Sequence, residues 1–273
     1  MKQHHILRHG VFRHSNESTD TFAMPLEGRF YMYSVIITAA GSGTRMDLGY
    51  NKIFYVISGK TIIERSVELF LQDDRCSQII MTASDVDFEQ VQQIFKHESK
   101  VHVCLGGDTR QGSVCNGLKH VTEDVVMVHD GARPFLKQRM IDDCYMIAKG
   151  GDAGVVSVLI KDTIKQTNPN DKWLVDKTLN RDELIAVQTP QSAPTKILQE
   201  AHEKANLEGF IATDDVNLVE KYMDVPVRAI KGSYTNLKFT TKEDIDMFEY
   251  FLSKKERRRE RVARKVENIF KKR

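Results

Sequence analysis

From Tyr33 onward, short β-branched runs alternate with longer segments whose apolar positions recur every three to four residues. The short runs predict strands at Ser34–Thr38, Gln78–Thr82, Val101–Leu105, Val125–His129, Gly154–Leu159 and Val225–Ile230. The periodic segments predict helices at Thr61–Gln72, Asp87–Phe95, Gly112–His120, Lys137–Lys149, Pro194–Ala205, Asp214–Met223 and Lys242–Phe251. Strands alternating with helices predict an α/β fold built on a doubly wound, mainly parallel sheet, in which ligands lie beyond the carboxyl ends of the strands.

Three stretches depart from this rhythm. Lys161–Gln166 and Lys172–Lys177 flank a polar, proline-containing turn and predict a projecting hairpin. Residues 1–31 carry four of the nine histidines, at positions 4, 5, 9 and 14, without apolar periodicity or a secretory core. They are expected to be a disordered extension, either an expression remnant or a segment preceding a start at Met32. Residues 253–273 predict a charged helical tail with sparse apolar positions.

Composition sharpens the picture in a few ways. At 273 residues and 41% hydrophobic content, the chain can bury one sizeable core. No apolar run reaches the length of a membrane span. Cys76, Cys104, Cys115 and Cys144 show no CxxC spacing, which disfavours zinc or a disulfide framework and points to a reducing, cytoplasmic compartment. The net charge of +2 conceals a division, since residues 254–273 carry a local +8 and the remainder is mildly acidic.

The candidate chemistry follows the strands. Val35–Thr38 leads into Ala39-Ala40-Gly41-Ser42-Gly43-Thr44-Arg45-Met46, with Lys52 six residues further on. Glycines allow backbone N–H groups to approach a polyphosphate, and two cations can meet its charge. No Gly-Lys-Ser/Thr follows, and the third glycine of a dinucleotide fingerprint is missing. Read alone, the segment also describes a tight strand–helix turn with an exposed arginine. The stretch Gly106-Gly107-Asp108-Thr109-Arg110-Gln111-Gly112-Ser113 opens a helix, where Asp108 or Ser113 serves as a cap or holds a ribose or base. His129-Asp130-Gly131-Ala132-Arg133 closes a strand with an acid suited to Mg²⁺ and an arginine suited to phosphate. His129 points to the opposite strand face and reads as structural. Lys161–Thr163, Arg181, Gln188–Gln191 and Asn236–Thr240 receive no role from spacing; surface salt bridges and a sheet edge account for them.

Taken together, AAGSGTRM (39–46), NK (51–52), GGDTRQGSV (106–114), HDGARPF (129–135), IKDTIK (160–165), VQTPQ (187–191), TDD (213–215) and GSYTNLKFTT (232–241) resemble the 2-C-methyl-D-erythritol 4-phosphate cytidylyltransferase family. The pieces occur in family order over about residues 33–252. The resemblance implies a Rossmann-like nucleotidyltransferase domain over 32–252, with an arm at about 160–181 exchanged between the subunits of a homodimer. It implies transfer of CMP from CTP to 2-C-methyl-D-erythritol 4-phosphate, with pyrophosphate released, on the non-mevalonate route to isoprenoid precursors.

By the same resemblance Arg45 and Lys52 stabilise the pentacoordinate phosphorus, while Lys238 and Arg181 position the attacking phosphate. Asp130, Arg133, Thr163 and Thr189 line the sugar-phosphate pocket, and Asp130 also meets Mg²⁺. Ala39, Ala40, Gly41, Gly43, Thr44, Gly107, Asp108 and Ser113 cradle CTP. Thr163 and Arg181 then serve the partner's site. Asn51 stands where many relatives carry proline. A ribitol 5-phosphate cytidylyltransferase is the rival within the enzyme class; it tends to show a double glycine near Ala39–Gly41 and a bulkier residue at Gly131. A nucleic-acid-binding protein acting through the basic tail is the rival outside that class, but the tail lacks interleaved aromatics and no specific nucleic acid or membrane partner is expected.

Overall fold

The structure is a computed structural model that describes residues 32–41 and 49–254. The expectations for residues 1–31, for Gly43, Thr44 and Arg45, and for the tail after 254 fall outside the described residues.

Strand β1 (Tyr33–Thr38) is followed by a short 3-10 helix (Lys52–Phe54) and a small ladder of β2 (Val56–Ile57) and β3 (Lys60–Thr61). Next come α1 (Ile62–Gln72), β4 (Cys76–Ala83), α2 (Phe88–Ile94), β5 (Val101–Leu105), α3 (Arg110–Leu118), β6 (Val125–Asp130), α4 (Gln138–Lys149) and β7 (Ala153–Leu159). The hairpin β8 (Lys165–Asn168) and β9 (Asp171–Thr178) precedes β10 (Ile185–Pro194), α5 (Thr195–Glu208), α6 (Asp215–Tyr222) and β11 (Val227–Lys231). Residues 244–254 are helical.

Seven strands form one sheet in the order β11-β7-β10-β6-β1-β4-β5. All run in one direction except β10, which is antiparallel to both neighbours. The two-residue period of each strand divides the core. Val35 and Ile37 of β1, with Ile79 and Met81 of β4, meet α1, α4 and the 244–254 helix on one face. Ile36, Ile80, Val126 and Val128 meet α3, α5 and α6 on the other. Burying both faces requires near-continuous apolar strands, and β1, β4 and β6 supply them. Local signals also set the helix ends. Thr61 and Glu64 form a reciprocal capping box at the start of α1, and Gly209 closes α5 in the left-handed conformation.

Three sequence expectations are corrected. The segment Gln188–Gln191 lies in β10, an interior strand, and not at a sheet edge. Pro190 is tolerated there because the β10–β7 register breaks between Val187 and Gln191, where no ladder hydrogen bond is required of it. Pro194 ends that strand and flanks α5, which begins at Thr195. The first hairpin strand begins at Lys165 rather than Lys161, so Thr163 precedes it and Arg181 follows the hairpin in a short 3-10 turn.

Candidate active site

β1 pairs with β4 on one side and β6 on the other. The chain therefore leaves the sheet in opposite directions at the β1–β6 boundary, the place where an open α/β sheet forms a crevice. A cavity of about 400 Å³ opens there. Its wall includes Ala39, Ala40 and Gly41 after β1, Lys52, Gly107, Asp108 and Ser113 around the start of α3, Asp130 at the end of β6, and Lys238. The described sequence-predicted cradle residues are thus brought together with Lys52, Lys238 and Asp130.

The start of α3 is built differently from the expectation. Thr109 is its cap, accepting from the Gly112 amide at 2.9 Å. Ser113 lies inside the turn, where its hydroxyl accepts from the Gly107 amide at 3.0 Å and donates to the Thr109 carbonyl at 2.9 Å. Gly106 and Gly107 are required by close approach: a Cβ on Gly106 would stand 2.7 Å from the Ala40 Cβ, and one on Gly107 2.8 Å from the Gly112 carbonyl carbon. The result is a helix N-terminus against a wall of small residues, open to an anion or to a flat polar ring.

Asp130 is the electrostatic centre. Its Oδ1 accepts from the Thr38 hydroxyl at 3.4 Å and from Arg110 Nε at 3.4 Å. Its Oδ2 meets Arg133 Nε at 3.2 Å and Lys238 Nζ at 2.9 Å. Burial alone would raise this carboxyl, but Lys238, Arg110 and Arg133 more than offset burial and hold it well below the usual carboxylate range. Arg110 also donates to Asp215 at 2.7 Å. Burial works against its charge, and the carboxylates of Asp215 and Asp130 overcome that. Among the described residues on the cavity wall, Lys52, Arg110 and Lys238 outnumber Asp108 and Asp130, which leaves net positive charge.

Behind this cluster, hydrogen bonds run in one direction. The Asp130 amide donates to Thr189 Oγ1 at 3.0 Å, and that hydroxyl pairs with His129 Nδ1 at 3.0 Å. His129 Nε2 faces the Arg133 carbonyl at 3.1 Å. A carbonyl only accepts, so Nε2 carries the proton and Nδ1 accepts from Thr189. His129 is fully buried, and burial lowers its pKa to about 4, keeping the imidazole neutral. Thr189 is buried behind the cavity, its hydroxyl engaged by Asp130 and His129. Arg133 is anchored by a 2.9 Å bond to the Asn236 carbonyl.

Thr163 and Arg181 stand apart from this cavity. Arg181 donates to the Lys161 carbonyl at 2.9 Å and lines a second, shallower concavity with Leu159, Ile160, Lys161 and Asp182. Asn51, Arg110 and Asp215 received no role from sequence reading, although all lie within quoted motifs. Arg110 and Asp215 are 105 residues apart, so no local signal joins them. Gln191 holds Asp215 in place: its Oε1 accepts from the amides of Asp215 and Val216 at 3.0 and 3.1 Å, fixing the start of α6.

No group of three or more His, Cys, Asp or Glu side chains among the described residues is arranged to hold a metal. No helix among them is long and apolar enough to cross a membrane.

A profile of 2-C-methyl-D-erythritol 4-phosphate cytidylyltransferase matches residues 33–254. The protein of that name from Bacillus cytotoxicus is 42% identical over 225 residues, spanning 81% of this chain and 98% of its own. The one from Halalkalibacterium halodurans is 39% identical over 230 residues, spanning 83% and 99%. Among solved structures, 4-diphosphocytidyl-2C-methyl-D-erythritol synthase from Anaerococcus prevotii superposes with a TM-score of 0.73 at 29% identity, covering 82% of this chain and 100% of that one. The Francisella tularensis 2-C-methyl-D-erythritol 4-phosphate cytidylyltransferase does so at 0.69 and 30%, covering 80% and 99%.

Proposed function

The chain belongs to the 2-C-methyl-D-erythritol 4-phosphate cytidylyltransferase family, and from that premise we propose how its residues divide the work. The reaction transfers CMP from CTP to 2-C-methyl-D-erythritol 4-phosphate and releases pyrophosphate. An oxygen of the 4-phosphate attacks the α-phosphorus in line, the bond from that phosphorus to the bridging oxygen breaks, and its electrons leave with pyrophosphate. No bond to the protein forms. Two anions must meet, so catalysis consists of positioning and charge stabilisation.

The observation that carries this reading is the cation-rich crevice at the β1–β6 boundary, with Lys52 and Lys238 on its wall. Ala39, Ala40, Gly41, Gly107, Asp108 and Ser113 cradle CTP, and the family resemblance assigns Gly43 and Thr44 the same role. Arg45 and Lys52 meet the charge that grows on the α-phosphoryl oxygens. Lys238, the most exposed of the three cations on Asp130, is the partner best placed to swing onto the incoming phosphate. Arg133 and Asp130 complete that pocket, and Thr189 holds Asp130 from behind.

For a divalent ion, the donor set fits one that arrives on the nucleotide. Asp130 is a single carboxylate whose two oxygens already accept from four donors, whereas Mg²⁺ takes one or two carboxylates plus substrate phosphates. Asp130 is the residue that would meet it, and the ion would offset triphosphate charge.

The hairpin supports a homodimeric reading. All of β9 is exposed, with Trp173 95% accessible beside Leu174 and Val175. Such an apolar surface on a projecting arm suits a partner subunit, to whose site it would bring Thr163 and Arg181. The four cysteines are free thiols, which fits the cytoplasm. The test is pyrophosphate release from CTP with 2-C-methyl-D-erythritol 4-phosphate against ribitol 5-phosphate. Preference for the latter would overturn the substrate assignment.

A further inference from the structure

Asn51 is 6% exposed and directly precedes Lys52. Its side chain is fully committed. Oδ1 accepts from the Ile53 amide at 3.3 Å, capping the short helix that Lys52 begins. Nδ2 donates to the Ala39 carbonyl at 3.1 Å and to Asp87 Oδ2 at 2.8 Å. Both partners of Nδ2 accept, which fixes the orientation of the amide. Asp87 is itself held, because Ser84 Oγ donates to the same carboxylate oxygen at 2.7 Å. One side chain thus ties three segments together: the end of β1 at the cavity, the helix carrying Lys52, and the turn between β4 and α2.

We propose that Asn51 is a positioning residue for Lys52, acting through the two hydrogen bonds its amide donates to Ala39 and Asp87. The proposal rests on the role given to Lys52 above. Two alternatives are separable by chemistry. The Asn51 φ of −66° is the angle a proline ring imposes. If backbone restriction were its whole contribution, proline would replace it. If it served only to satisfy buried groups, its loss would lower stability without acting through Lys52. The geometry favours the amide, since neither a proline nor an alanine can reach Ala39 and Asp87 together.

The experiment measures kcat, KM for CTP and Tm for Asn51→Ala, Asn51→Pro and Asp87→Ala, and repeats Asn51→Ala in a Lys52→Ala background by single turnover. Asn51→Ala and Asn51→Pro are expected to lower kcat by roughly 10- to 100-fold with KM little changed, the scale for a catalytic group displaced by about an ångström. Asp87→Ala removes only the far anchor, from a partly exposed position, and is expected to give a smaller loss in kcat of the same kind. In the Lys52→Ala background, Asn51→Ala is expected to change turnover by no more than about twofold, because residues acting as a unit are non-additive. Wild-type kcat in Asn51→Pro would overturn the proposal. So would an equal loss from Asn51→Ala with and without Lys52. Wild-type turnover in Lys52→Ala alone would remove the role of Lys52 and the inference with it, whereas a wild-type chain inactive on 2-C-methyl-D-erythritol 4-phosphate would count against the assigned reaction instead.

Discussion

At the scale of single residues, the account turns on where charge stands relative to the reacting phosphorus. Lys52 lines the cavity with only 8% of its surface exposed. A cation in so dry a place interacts with phosphate more strongly than one in water. Lys52→Ala and Arg45→Ala are each predicted to cut turnover by roughly 10²–10³ while CTP affinity falls much less, the scale for losing one transition-state donor. Steady-state kinetics decide it; preserved turnover with collapsed CTP affinity would reverse the roles.

His129 yields a second prediction, in stability. Burial lowers it from 6.5 to about 4 and lowers His202 as well. Unfolding restores their ordinary proton affinity, so below about pH 6.5 the unfolded chain binds more protons than the native one. Stability therefore falls as pH drops from about 6.5 toward 4, by up to about 1.4 kcal/mol per pH unit for His129, and His202 acts in the same direction. The depressed Asp130 adds a loss only below the ordinary aspartate value of 3.8. Urea unfolding across that range should show the slope, and His129→Gln should flatten it. An unchanged slope in the variant would mean that His129 does not carry it.

At the scale of elements, the strands with both faces buried were legible because their apolar runs are continuous. Of these, β1, β4 and β6 differ from expectation by a residue or two at their ends, and the half-exposed edge strand β5 also matches its expected limits residue for residue. β10 was not legible, since its pairing depends on β6 and β7, and Pro190 and Pro194 argue locally against a strand. The site divided the same way. Contiguous motifs delivered Ala39–Gly41, Lys52 and Asp130, whereas Arg110–Asp215 and Asn51–Asp87 arise only from tertiary packing.

Gly131 sits where two elements pack too closely for a side chain. A Cβ there would lie 2.6 Å from Ile63 Cδ1 on α1 and 2.9 Å from the Thr38 carbonyl. The ribitol-type substitution has no room. Gly131→Val is predicted to destabilise the fold by about 1–3 kcal/mol, as overpacked cores do, with denaturant midpoints as the check. An unaltered midpoint would show that α1 and β6 adapt more readily than their packing implies.

At the scale of the whole molecule, the arm decides how many chains make one site. If Thr163 and Arg181 serve the partner, each active site draws on two subunits, and lesions on different chains can complement. An Arg181→Ala chain mixed with a Lys52→Ala chain should regain turnover, since one of the two sites in the heterodimer then has both residues. A verified heterodimer without recovery would place the arm on its own subunit. The direct measurement of the central claim is pyrophosphate release by the full chain with CTP and Mg²⁺, comparing the two sugar phosphates at matched concentrations. The predicted result is release that depends on 2-C-methyl-D-erythritol 4-phosphate with a clear preference in kcat/KM; release favouring ribitol 5-phosphate, or none with the erythritol phosphate, would contradict it.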